Sequence, residues 1–320
     1  MRVIKKAINL FKDVGAEFIS DNGIKLSASL SYYTIFSLAP LLIIVMSLAG
    51  MFYGDEAVQG KIFWQINNLV GDAAAKQIQE IIQNIQKSEH TKAGAIFGFV
   101  ALFIGATGVF TEIQDSINYI WSIKAKPKRG WLKLIINRLL SFSLVISFGF
   151  ILLVSLFVNA LMDLLSDSLK VYFQDAMVYL FYVLNIVIIF VIIATLFAII
   201  FKVLPDAKIR WKDAFVGSFF TAFLFILGKF LIGFYIGSAN FGVTYGAAAS
   251  VIIILLWVYY SSIILFFGAE FTQVYAVQYG GGVTPYNNAV FIVKQEERET
   301  NKNPQAAKLK TEGADGSPIK

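Results

Sequence analysis

Apolar residues along this chain run together in six blocks, each close to the length a helix needs to cross about 30 Å of hydrocarbon. The blocks cover roughly Ser27–Tyr53, Ala93–Thr111, Leu139–Met162, Met177–Leu204, Ala214–Ile236 and Tyr245–Phe271. The polar stretches between them carry weaker patterns. Residues 1–26 place apolar side chains on one face and lysines on the other, which predicts a helix lying on an anionic membrane surface. In the loop at 54–92, Ile78, Ile81, Ile82 and Ile85 recur at i, i+3, i+4 and i+7, the stripe of an amphipathic helix. Asp72, just after Gly71, is placed to cap it. From Thr284 to Lys320 the chain is charged and poor in aromatics, the composition of a disordered tail.

The predicted fold is therefore all-α: a polytopic membrane helix bundle of six transmembrane helices within residues 27–283, with a helical extracytoplasmic loop. Composition supports it. Of the 320 residues, 57% are hydrophobic and 15% charged, against about 25% charged in a soluble domain. Mean hydropathy is +0.68. So much apolar surface cannot be hidden from water, and the bilayer has to be the solvent. The N-terminus, basic and amphipathic, lacks a compact apolar stretch followed by a small-residue cleavage site, so no removable signal peptide is read there.

Charge sets the orientation. Most of the 27 Lys and Arg residues fall in the N-terminal segment, in the loops after the second and fourth blocks, and in the tail. By the positive-inside rule both termini lie in the cytoplasm. An even number of spans is required for that, and six satisfies it. The basic face would also attract anionic lipid.

Chemistry is sparse. There is no cysteine and one histidine, His90, so disulfides, thiolate metal sites and multi-histidine centres are excluded. No cofactor is expected. In the second block Gly94, Gly98, Ala101, Gly105 and Gly108 form one seam of small residues, as suits close helix packing in lipid. Its partner is a helix of the same chain or of a second copy, which would make a homo-oligomer. Pro40 removes an N–H from the middle of the first block and predicts a kink. Ser31 and Thr34 precede it, either to satisfy freed backbone groups or to form the polar wall of a cavity.

Lys229 and Glu270 lie within apolar blocks, where a charge costs at least about 2.5 kcal/mol. Spacing puts Lys229 in the outer half of its span and Glu270 near the inner interface, too far apart to pair. Lys229 is expected either to snorkel outward or to meet an outer-side carboxylate such as Asp163 or Asp167, and Glu270 to meet an inner-loop cation such as Arg138 or Lys202. Both residues read either as anchors or as ligand-facing groups.

Four segments, taken in order, look familiar: LSASLSYYTIFSLAPLLI (Leu26–Ile43), GATGVFTEIQDSINYIW (Gly105–Trp121), KVLPDAKIRWKDAFVGSFFTA (Lys202–Ala222) and TYGAAASVIIILLWVYYSSIILFFGAEF (Thr244–Phe271). Over roughly residues 10–280 the chain resembles the YihY/BrkB family of bacterial inner-membrane proteins, sometimes mislabelled ribonuclease BN. The resemblance implies a six-helix plasma-membrane protein whose molecular activity is unsettled. Members have been linked to serum resistance, to envelope integrity and to handling lipid or lipopolysaccharide. Positions matching the family pattern include Asn118, Trp121, Pro205, Tyr245, Trp257, Gly268 and Glu270.

Three functions compete at this point. Translocation of a lipid or other amphiphile is favoured by the kinked first helix, the hydroxyls at Ser31 and Thr34, the aromatics Tyr245 and Trp257, and Lys229. The alternative is a non-transporting envelope scaffold that docks a protein partner through its outer loop. Ribonuclease activity lacks a metal-binding His/Asp cluster, and Glu112 with Asp115 is only a pair of carboxylates. The basic charge already has its explanation in topology, so neither an enzyme nor a nucleic-acid partner is expected.

Overall fold

A computed structural model describes residues 2–37, 72, 75–80, 108–126, 176–239, 241–245 and 248–292. The third apolar block, Pro40, the seam residues before Gly108, most of the loop at 54–92 and the tail beyond 292 lie outside the described residues. Helix α1 is Arg2–Ser20, α2 is 23–37, α3 is 108–120, α4 is Ala176–Val203, α5 is Trp211–Ser238, α6 is Phe241–Tyr245 and α7 is Ala249–Tyr279. Three of them, α4, α5 and α7, are long and apolar enough to cross a membrane.

Among the described helices, α5 packs on both α4 and α7. Its side chains are sorted by size. Ala214, Gly217, Ser218, Thr221 and Ala222 are buried, whereas Phe219, Phe223, Phe230 and Phe234 point outward. In water that distribution would be inside out. In lipid, where tails solvate phenylalanine as well as a protein core does, small residues belong at the helix contact.

The contact between α5 and α7 is reciprocal. Thr221 of α5 lies against Gly268 of α7, and Thr272 of α7 lies against Gly217 of α5. Each threonine donates its hydroxyl to a carbonyl of its own helix, Thr221 to Gly217 at 2.7 Å and Thr272 to Gly268 at 2.6 Å. That bond holds the side chain in place over the other helix's glycine.

Helix α4 stops where Pro205 disfavours the helical conformation for Leu204. The turn that follows leads into strand β2 (Ala207–Lys208). A second short strand, β1 (Ile123–Ala125), follows α3. After α7 the chain turns through Gly280–Gly282 and supplies a partner to each. Strand β3 (Thr284–Pro285) pairs antiparallel with β2, and β4 (Ala289–Phe291) pairs antiparallel with β1, with Lys124 opposite Val290. The first residues of the expected disordered tail are thus folded into a ribbon. Backbone pairing, not side-chain hydrophobicity, orders them, and composition is blind to it.

Among the described residues, this ribbon end also holds most of the core. Ile117, Ile120, Trp121, Phe201, Phe266 and Ala269 pack there, none more than 1% exposed. Helix α1 lies along it, its stripe of Leu10 and Val14 buried against Phe271 and Val274, with Phe18 edge-on to Phe267 at 5.5 Å. Its outer side exposes Ile8, Phe11 and Ile19 beside Lys5, Lys6 and Lys12. At the opposite end of the helices the stretch 75–80 is helical, and Glu80 accepts a bond from Ser250 of α7 at 3.0 Å. Asp72 is itself helical and pairs with Lys76 at 2.6 Å on the surface, so it sits inside the helix that it was expected to cap.

Candidate functional site

Polar residues converge beneath the ribbon. Asn118 sits on the last turn of α3, and Asp206 in the turn after α4. Both are buried, and they exchange two bonds. The Asn118 amide donates to Asp206 Oδ2 at 2.9 Å, and the Asp206 backbone N–H donates to Asn118 Oδ1 at 2.8 Å. One turn earlier on α3, Gln114 donates to the same carboxylate oxygen at 3.3 Å. A carboxylate taken out of water needs such donors, because bonds to a charged group offset part of the lost hydration.

Three residues beyond Asn118, the Trp121 indole N–H donates to the Ala269 carbonyl of α7 at 3.0 Å. This bond pins the end of α3 beside Glu270, which is completely buried. Trp121→Phe keeps a ring but removes the donor, leaving a buried carbonyl short of its partner. We expect a loss of about 1 kcal/mol, read as a lowered midpoint in thermal unfolding of the detergent-purified protein. An unchanged midpoint would remove this pin from the account.

A groove of about 540 Å³ opens on the outer side of the same end, between α1, the end of α3 and the last turns of α7. Asp13, Glu17 and Asp21 line one wall and Gln273 and Gln278 the other, with Val274, Val277 and Ile120 as apolar lining. The Gln278 amide bridges to Asp13 at 2.8 Å.

The candidate residues read from the sequence do not form one cluster. Ser31, on α2, is buried, and Thr34 is half-buried. Their hydroxyls donate to carbonyls of their own helix, Ser31 to Ala28 and Thr34 to Leu30, each at 2.8 Å. Lys229 is half-buried on α5, with its ammonium 5.8 Å from the Phe230 ring. Its neighbour Gly228 faces Tyr260 and Ile264, so Glu270 lies at least six residues further along α7, about 9 Å at 1.5 Å per residue. Trp257 is half-buried and edge-on to Phe225, and Tyr245 is exposed at the end of α6, stacked on Phe241. Of the expected charge partners, Lys202 gives its ammonium to the Ile209 carbonyl and the Trp211 face. Arg138, Asp163 and Asp167 lie outside the described residues. Gly108, the described end of the small-residue seam, faces the Tyr33 ring of α2, so at that point the seam packs within the chain.

Asn118 and Glu270 therefore belong to the ribbon end, while Asp206, Gln114 and Asp213 there were not singled out from the sequence. Their signal was faint: a Pro-Asp pair in a short loop looks the same whether it faces water or a helix. Among the described residues no three His, Cys, Asp or Glu side chains are grouped to hold a metal.

Comparison with known proteins adds the lineage. The family model for Virulence factor BrkB matches residues 14–290. A UPF0761 membrane protein of Vibrio vulnificus strain YJ016 is 29% identical over 257 residues, covering 76% of this chain and 74% of its own. One from Rhodospirillum centenum is 25% identical over 284 residues, 87% of this chain and 60% of the relative. One from Pseudomonas paraeruginosa is 29% identical over 259 residues, 79% of this chain and 59% of the relative. No solved structure matches the chain.

Proposed function

The chain belongs to the Virulence factor BrkB family of membrane proteins, and from that premise we propose that it translocates a lipid or other amphiphile across the plasma membrane. In this reading six helices cross the bilayer, both termini and the ribbon end face the cytoplasm, and α1 rests on the anionic inner leaflet. The observation that carries it is the groove beside α1. It has the size of a ligand pocket, a polar lining for a headgroup, and apolar Ile120, Val274 and Val277 in its wall for the start of an acyl chain. Lys229 supports the same reading, since an ammonium kept within an apolar helix is a common mark of a polar path. No nucleotide-binding loop is present in the sequence, so exchange would run on a gradient, a partner, or passively, and the protein would not be an enzyme.

The scaffold alternative has less behind it. The described part of the 54–92 loop turns toward the helices, with Glu80 bonded to Ser250, which suits a cap better than a docking arm.

Fluorescent-lipid flipping in proteoliposomes tests the proposal. Purified protein should speed headgroup exchange several-fold over empty vesicles in the presence or absence of an ion gradient. Val277→Trp, which fills the groove from an exposed position, should bring the rate back to that of empty vesicles. No acceleration under either condition would end this reading.

A further inference from the structure

We propose that residues Gly280–Ile292 form a latch, hinged at Gly280–Gly282 and caught by Asp213, whose release uncovers the polar cluster at Asp206. The hinge is three consecutive glycines, and Gly282 holds φ at +73°, a left-handed conformation that glycine adopts without penalty. The catch is the Asp213 carboxylate. It lies buried in the first turn of α5 and accepts the Gly281 backbone N–H at 2.9 Å.

What the latch covers follows from its bonds. The Tyr286 N–H donates to the Asp206 carbonyl at 3.0 Å, the Lys126 N–H to Asn288 at 2.7 Å, and the Ile292 N–H to Ser122 at 2.8 Å. One strand therefore lies on the Asp206 side of the cluster and the other on the α3 side. Between them they close over the carboxylate that Asn118 and Gln114 hold.

The same segment is also the part of this end least costly to open. Its pairing with β2 is two residues long, and Pro285 has no N–H to contribute. Thr284, Tyr286, Asn287, Asn288 and Phe291 are exposed, leaving Val283 and Ala289 as its buried apolar contacts. Segments with little buried apolar surface and short hydrogen-bonded ladders open before the core does. By contrast Trp121, Phe201 and Phe266 beneath it are completely packed. Opening the ribbon exposes a charged cluster and leaves the helix contacts intact.

Hydrogen exchange on the unaltered protein in lipid nanodiscs provides the first test. Peptides carrying Lys126, Tyr286 and Ile292 should exchange together, at least roughly 100-fold faster than those within 253–270. The second uses the absence of cysteine: Ala207→Cys places one thiol under the latch beside Asp206. Asp213→Ala should raise its maleimide labelling rate about tenfold, whereas Asp213→Asn, whose amide oxygen still accepts the Gly281 N–H, should stay near the parent rate. Ribbon peptides as slow as the interior of α7 would overturn the proposal, as would equal labelling of the parent and Asp213→Ala. If Asp213→Ala does not fold, the exchange measurement alone decides.

Discussion

Gly268→Val is expected to lower stability by about 3 kcal/mol, the upper range for an overpacked contact. For a chain of this size that amounts to a fall of roughly 5 °C in the unfolding midpoint. A Cβ at position 268 would run into the Thr221 hydroxyl and lie 2.8 Å from the Thr221 Cβ. The threonine cannot swing away cheaply, because it is β-branched and its hydroxyl is bonded to Gly217. Either the helices separate or the hydroxyl loses its partner inside the contact. Moving the missing side chain across the interface should reverse the damage. Gly268→Ala alone should be clearly destabilised, and Gly268→Ala with Thr221→Gly should recover at least half of the lost midpoint. A valine variant that melts with the parent would mean the two helices do not approach so closely.

The second large effect is expected at Asn118→Leu, of similar volume but unable to bond. It strips the Asp206 carboxylate of its shorter side-chain donor and the Asp206 N–H of its acceptor at once. Leaving a buried charge short of partners costs about 3–5 kcal/mol. Gln114, at 3.3 Å, compensates poorly. Asp206→Asn should be milder, about 1 kcal/mol, because a neutral amide needs less help when buried. Unfolding midpoints of the purified variants give the order. If Asn118→Leu is no worse than Asp206→Asn, the carboxylate is not what makes this cluster matter.

Span positions were legible where one physical signal dominated. The blocks at Met177–Leu204 and Ala214–Ile236 correspond to α4 and α5 within three residues, because a long apolar run has only one low-energy use in lipid. The last block fared less well. Its helix begins at Ala249 and runs on to Tyr279, past the apolar stretch, since Thr272, Val274 and Ala276 find burial against other helices and need no lipid. Helix α3 likewise continues to residue 120, beyond the block ending at Thr111. Its last turns carry Gln114 and Asn118, past the end of the apolar run, and a partner 88 residues from Asn118 accounts for their burial.

The candidate site was legible only in fragments for the same reason. Hydroxyls at Ser31 and Thr34 look alike whether they face a cavity or their own backbone, and the backbone takes them. Glycines at 217 and 268 sit in different spans, so the reciprocal Gly/Thr contact cannot be seen in either alone. Asp213 is one of several charges near a helix start until Gly281 folds back on it.

The Trp121 bond to Ala269 joins residues 148 positions apart, and the ribbon ties the end of α3 to the chain beyond α7. During synthesis the Trp121 indole and the β1 backbone must therefore wait unpaired until the chain beyond α7 has left the ribosome. Truncation before residue 280 would strand an assembled-looking set of helices with one end unsewn. A cell's quality-control proteases are equipped to find such an intermediate.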